Sequence, residues 1–184
     1  RLFIKHSVRN GLTFTGEFSD LMNVEKNSVL QALDLFGNGL KTRFSISLEK
    51  NLPIGAGLGG GSADAAAVIR FIIKNCGQLM PSFESISKLG ADIPACVLSA
   101  ASRVEGIGEI VRPLDISGID LWIVLVNPNI IISTGSIFEE LIEKYNEPLE
   151  TFVDLSGTNQ FIDYLKRQRN DLQAVAINRY PEIN

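Results

Sequence analysis

Five glycines crowd into seven positions, Gly55-Ala-Gly-Leu-Gly-Gly-Gly61, and lead straight into Ser62 and the alanine-rich run Ala63-Asp-Ala-Ala-Ala67. Glycine lets consecutive backbone N–H groups converge on an anion with no Cβ in the way, and a following helix adds its unsatisfied N–H groups and positive dipole end. The chemistry is phosphate binding. Ser62 is the expected N-cap of that helix, and its hydroxyl can instead turn to a phosphate oxygen or to a phosphate-bound magnesium ion. A Walker A loop is excluded, because Gly61 is followed by Ser-Ala-Asp rather than Lys-Ser/Thr. Gly55–Gly60 does fit GxGxxG, a weak signal by itself.

The elements on either side narrow the choice. Arg43-Phe-Ser-Ile-Ser-Leu-Glu49 alternates apolar and polar, which predicts a half-exposed antiparallel strand rather than the buried central strand of a dinucleotide fold. No acidic residue stands about 20 positions beyond the loop to hold a ribose. Residues 62–74 predict a helix that is apolar nearly all round and therefore buried.

Other candidate residues carry two readings each. Asp92, in Leu89-Gly-Ala-Asp-Ile-Pro94, stands at a helix start and reads equally as an N-cap or as a general base. Asp64 fits either a magnesium ligand or a complement to the helix dipole. His6 is the sole histidine, has no acid or thiol companion in sequence, and receives no role.

Pro53-Ile-Gly-Ala-Gly-Leu-Gly-Gly-Gly-Ser62 resembles the ATP loop of the GHMP small-molecule kinases. Leu89–Pro94, Gly106-Ile-Gly-Glu109, Ser133-Thr-Gly-Ser-Ile-Phe138 and Asn170-Asp-Leu172 follow in the order found in the branch that serves non-mevalonate isoprenoid biosynthesis. The resemblance runs from about Asn27 to Leu172. It implies an α+β, two-domain architecture with nucleotide and substrate in the cleft between domains. Residues 1–115 would form the ATP-binding domain without its first strand, and residues 116–184 the start of an incomplete second domain.

The function implied is transfer of phosphate from ATP, with Mg2+, to the 2-hydroxyl of 4-diphosphocytidyl-2-C-methyl-D-erythritol. Asp92 would be the catalytic carboxylate and would also touch the substrate. Pro53, Gly55, Ala56, Gly57, Leu58, Gly59, Gly60, Gly61 and Ser62, with Lys50 and Asn27, would contact ATP. Thr134 and Phe138 would contact the cytidyl substrate, the ring of Phe138 stacking on the base; the alternative for Phe138 is core packing. No protein metal ligand is assigned. Ser28 departs from the leucine common in the family. Rival readings are a homoserine- or mevalonate-type GHMP kinase, an NAD-binding oxidoreductase and a non-catalytic nucleotide-binding protein.

Composition sets bounds on these readings. The 184 residues are 45% hydrophobic and 21% charged, enough for a substantial core. A net charge of −4 offers no basic field for nucleic acid or an anionic membrane. The run Lys166-Arg-Gln-Arg169 reads as solvated surface. Two cysteines without metal-ligand spacing suit a reduced, cytoplasmic setting, and no apolar run approaches membrane-span length. Arg1 in place of an initiating Met reads as a start inside a longer frame.

Along the chain, residues 1–8 and 11–18 predict a hairpin turned at Asn10-Gly11, and 24–36 a helix closed by Gly37. Helices are expected over 82–89, 93–98 and 136–145, with Ile137, Leu141 and Ile142 inward. Residues 104–111 predict a strand or a hairpin bent by glycine. Leu121-Trp-Ile-Val-Leu-Val126 predicts a buried strand. A loop over 147–158 should precede a helical stretch over 159–177, interrupted near Asn170.

Overall fold

A computed structural model describes residues 1–184 except 26, 129, 131 and 151–156. Two compact units divide it, Arg1–Leu114 and Asp115–Asn184. The fold is α+β.

The first unit is built on β3 (Arg43–Glu49), whose alternation sends Phe44, Ile46 and Leu48 to one face, each at most 1% exposed. The strand β1 (Leu2–Ser7) pairs with it antiparallel, and β2 (Gly11–Thr15) pairs with it in parallel on the other side. The sheet order is therefore β1-β3-β2. The expected hairpin does not form, because β3 takes the place between its two arms. Asn10 serves that insertion instead, its side-chain oxygen accepting from Phe44 N–H at 3.0 Å. The expectation that β3 is purely antiparallel is corrected by the same topology: it has one neighbour of each sense.

On the apolar face lie α1 (Ser28–Asp34) and α2 (Gly60–Cys76). Residues Val29, Ala32 and Leu33 of α1 and Ala65, Ala66, Val68, Ile69 and Ile72 of α2 are buried against the sheet and one another. The Phe71 ring meets Phe44 edge-on, centroids 5.6 Å apart. His6 lies beside Phe44 at 5.4 Å, a strand side chain as its isolation suggested. Helix α1 starts four residues later than expected, because Asn27 caps it: its side-chain oxygen accepts from Val29 N–H at 3.0 Å.

After α2 come α3 (Phe83–Ser87), capped by Ser82, and α4 (Ile93–Leu98). Strands β4 (Ser102–Glu105) and β5 (Ile110–Pro113) then form the glycine-turned hairpin.

The second unit holds α5 (Thr134–Glu140), α6 (Thr158–Arg167) and α7 (Gln173–Arg179). The break between α6 and α7 spans Asn170, whose side chain accepts from Leu172 N–H at 3.1 Å. Helix α5 ends at Glu140, so Ile137 alone of the three expected inward residues is buried, and Ile142 is 98% exposed. Leu121–Val126 is not a strand, and Trp122 is 97% exposed. A run apolar on both faces needs a ladder partner on each edge, and no described strand pairs with it. Part of the expected loop, residues 151–156, lies outside the described residues. Lys166, Arg167 and Arg169 are ion-paired with Asp163, Glu150 and Asp171. Among the described residues no helix is long and apolar enough to cross a membrane.

Candidate active site: a phosphate loop and a free carboxylate

The loop between β3 and α2 alternates its backbone sense. Gly55, Gly57 and Gly59 have φ of 74°, 69° and 65°, a left-handed conformation that costs an L side chain roughly 1–2 kcal/mol at each position. Helix α2 begins at Gly60, two residues before the expected cap, and Gly59 occupies the N-cap position. Its carbonyl accepts the first intrahelical bond, from Ala63 N–H at 2.8 Å. The N–H groups of Gly60, Gly61 and Ser62 consequently have no intrahelical acceptor, and they open on the glycine side. Ser62 is not the cap; its hydroxyl lies in the first turn beside Gly90, where it is free to meet an anion.

Two ties hold this loop. Ser28 Oγ donates to Gly61 O at 3.1 Å, joining the starts of α1 and α2. Lys50, 8% exposed, donates to Asp64 Oδ2 at 3.2 Å. Because α2 starts at Gly60, Asp64 sits beyond the first turn, where the dipole has little reach, and its carboxylate serves Lys50 instead. A hollow of about 170 Å³ opens beside Lys50, Leu52, Gly60 and Asp64. That volume suits a phosphate-sized group rather than a whole nucleotide. The cap bond of Asn27 commits the oxygen of that side chain to α1.

Asp92 sits where Gly90–Ile93 turns into α4, with Ile93 N–H donating to Gly90 O at 3.0 Å. It occupies the N-cap position yet makes no side-chain cap bond. Among the described residues its exposed carboxylate has no hydrogen-bond or ion-pair partner, which disfavours the capping role. Nearby, the Cys96 thiol is pushed up from its ordinary value, first by burial and then by the negative charge of Asp92, with Arg70 pulling the other way. Arg70 fastens the end of α4 to α2 by donating to the Cys96 carbonyl. The adjacency of Gly90 to Ser62 brings the Asp92 turn up to the start of α2.

In the second unit, Thr134 and Phe138 lie four residues apart on α5 and share one side of it. Phe138 is 54% exposed, so core packing does not occupy its ring.

Residues 27–108 match the model of the GHMP kinases N terminal domain. Over those residues the chain is similar to a GHMP kinase N-terminal domain. Curated relatives are named 4-diphosphocytidyl-2-C-methyl-D-erythritol kinase. The protein from Cereibacter sphaeroides is 38% identical over 160 residues, covering 86% of this chain and 56% of its own. That from Ruegeria pomeroyi is 42% identical over 144 residues, covering 76% and 50%. That from Paracoccus denitrificans is 39% identical over 174 residues, covering 94% and 59%. A solved structure of a 4-(cytidine 5'-diphospho)-2C-methyl-D-erythritol kinase superposes with a TM-score of 0.63 at 27% identity, over 98% of this chain and 65% of that one. The chain thus spans between half and two thirds of the length of these proteins.

The topology of the first unit removes the dinucleotide reading. Both edges of β3 are already taken by β1 and β2, so no strand following α2 can lie beside it as a βαβ unit requires. Sequence reasoning missed the Ser28–Gly61 and Lys50–Asp64 ties. The first joins residues 33 apart and the second residues 14 apart, and no local pattern announces either.

Proposed function

We propose that the protein carrying this chain transfers the γ-phosphoryl group of ATP to the 2-hydroxyl of 4-diphosphocytidyl-2-C-methyl-D-erythritol, within non-mevalonate isoprenoid biosynthesis. The observation that carries this reading is the pairing of a left-handed glycine loop at a helix start with an unpartnered carboxylate, in a chain whose named relatives are kinases of that substrate.

Phosphoryl transfer passes through a loose transition state, so positioning and charge stabilisation do most of the work. The N–H groups of Gly60, Gly61 and Ser62 and the loop Pro53–Gly59, with Ala56 and Leu58 between the glycines, hold the phosphates. Lys50 stands beside Gly60 as a hydrogen-bond donor, its charge balanced by Asp64. Asn27 bounds the nucleotide side as the cap of α1. The attacking oxygen forms a bond to the γ-phosphorus as the bond to the bridging oxygen breaks, and ADP leaves. The tertiary hydroxyl loses its proton to Asp92 late, because that proton becomes labile only as the new P–O bond forms. Thr134 and Phe138 hold the cytidyl end, the exposed ring offering a flat face to the base. Residues 1–115 serve as the ATP-binding domain and 116–184 as the beginning of a substrate domain.

The donor set suits a magnesium ion carried by the nucleotide rather than a protein cage. Among the described residues no three His, Cys, Asp or Glu side chains converge, and Lys50 already engages Asp64. Ser62 is the hydroxyl placed to reach such an ion. Magnesium, when bound, neutralises charge on the β- and γ-phosphate oxygens.

The test is magnesium-dependent ADP release by the full-length protein with the cytidyl substrate, run beside mevalonate and homoserine. Selective turnover of the cytidyl substrate supports the reading. Turnover of another alcohol would keep the kinase and discard the substrate, and ATP-induced thermal stabilisation without any turnover would leave only a nucleotide-binding protein.

A further inference from the structure

The two glycines of Gly106-Ile-Gly-Glu109 do different work. The motif forms the turn between β4 and β5, closing the ladder at Glu105 and Ile110. Both glycines have positive φ, 70° at Gly106 and 101° at Gly108. A Cβ on Gly106 would first meet the Glu109 carboxylate, as near as 2.2 Å, and that side chain can swing aside. A Cβ on the buried Gly108 would stand 2.0 Å from the carbonyl oxygen of Ala91 and 2.7 Å from its C and Cα atoms. Those are backbone atoms of the residue immediately before Asp92, and no rotamer change moves them.

We infer that Gly108 is a positioning residue for Asp92, its bare Cα letting the β4–β5 turn back the peptide that carries the carboxylate. The inference rests on the reading of Asp92 as proton acceptor. Ala91 and Asp92 are exposed, and the Asp92 side chain has no hydrogen-bond partner among the described residues to fix it. Its location is therefore set by its backbone, which has the Gly90–Ile93 turn on one side and Gly108 on the other. The turn is itself stiffened: the Glu109 carboxylate accepts from Ile107 N–H at 2.7 Å, and Glu105 pairs with Arg103 at 2.8 Å. A methyl at position 108 would displace the Ala91–Asp92 peptide or the turn by on the order of an ångström, enough to spoil a reacting geometry.

The experiment compares Gly108→Ala and Gly106→Ala in the full-length protein, each also in an Asp92→Asn background, by kcat with the cytidyl substrate and by the ATP dissociation constant. Gly108→Ala is expected to lower kcat by about a hundredfold with ATP binding unchanged. Gly106→Ala, also at positive φ, should keep kcat near wild type, and Gly108→Ala should cost nothing further once Asp92 is Asn. Wild-type kcat in Gly108→Ala, an equal loss in Gly106→Ala, or a full further loss in the Asp92→Asn background overturns the inference. Should Gly108→Ala lack a cooperative melt, insertion of one glycine after Gly108 takes its place: it moves the turn off the Ala91 peptide and must lower kcat without weakening ATP, and an undiminished kcat sinks the idea. Full turnover by Asp92→Asn alone removes the proton-acceptor reading and this inference with it, whereas collapse in Asp92→Asn with normal Gly108→Ala removes only the inference.

Discussion

In Arg1–Leu114, Phe44, Ile46 and Leu48 of β3 are sealed under Ile69 and Ile72 of α2, whereas in Asp115–Asn184 Ile137 is the buried apolar side chain among the described residues and Trp122–Val126 stand in solvent. The contrast lies in the backbone as much as in composition. Both units have apolar runs, but among the described residues only β3 has a strand on each edge to satisfy its N–H and C=O groups, and a sheet face on which helices can settle. The glycine loop, proposed to cradle phosphates, would need rigid anchors at both ends, and it lies in the unit that supplies them: β3 before it and the buried helix α2 after it.

The contrast can be broken most directly by core truncation. In the 184-residue chain, Ile69→Ala should cost about 2–5 kcal/mol in urea unfolding, while Trp122→Ala should change it by less than about 0.5 kcal/mol. Equal losses would mean that both units bury their apolar runs alike. A smaller effect sharpens the account of the first unit. Asn27→Ala should lose about 1 kcal/mol of stability through the cap of α1. If ATP affinity falls instead and stability holds, Asn27 acts on the nucleotide rather than through the helix. The smallest effect concerns Cys96, whose thiol is raised by burial and by the charge of Asp92. Asp92→Asn removes the second cause, so the thiol comes down and more thiolate is present at mildly alkaline pH. Alkylation of Cys96 should then speed up by a small factor, with Cys76 as the internal control, and an unchanged rate would show that Asp92 does not bear on this thiol.

Legibility followed the range of the interaction. The glycine loop, the alternation of Phe44, Ile46 and Leu48, the β4–β5 hairpin and the break near Asn170 are local patterns, and each is present. The insertion of β3 between β1 and β2 is not local. Asn10-Gly11 carries the same signal whether it turns a hairpin or, as here, spends the asparagine on Phe44. Helix α2 starts early because the glycines meant for flexibility also accept helical geometry once Gly59 turns the chain. Leu121–Val126 has the composition of a strand, but composition does not provide ladder partners. At the site, Asp92 was legible as a candidate but undecided between cap and base; the missing cap bond supports the second. Gly108 was legible only as part of a motif, since its reason is the Ala91 peptide, far from it in sequence.

The central claim is that the glycine loop and Asp92 are separable halves of one phosphoryl-transfer site. It is tested most directly by Asp92→Asn in the full-length protein, measuring ATP binding and ADP release with the cytidyl substrate side by side. The account predicts unchanged ATP binding and a fall in kcat of about 10²–10⁴. Turnover close to wild type, or ATP binding lost together with turnover, would contradict it.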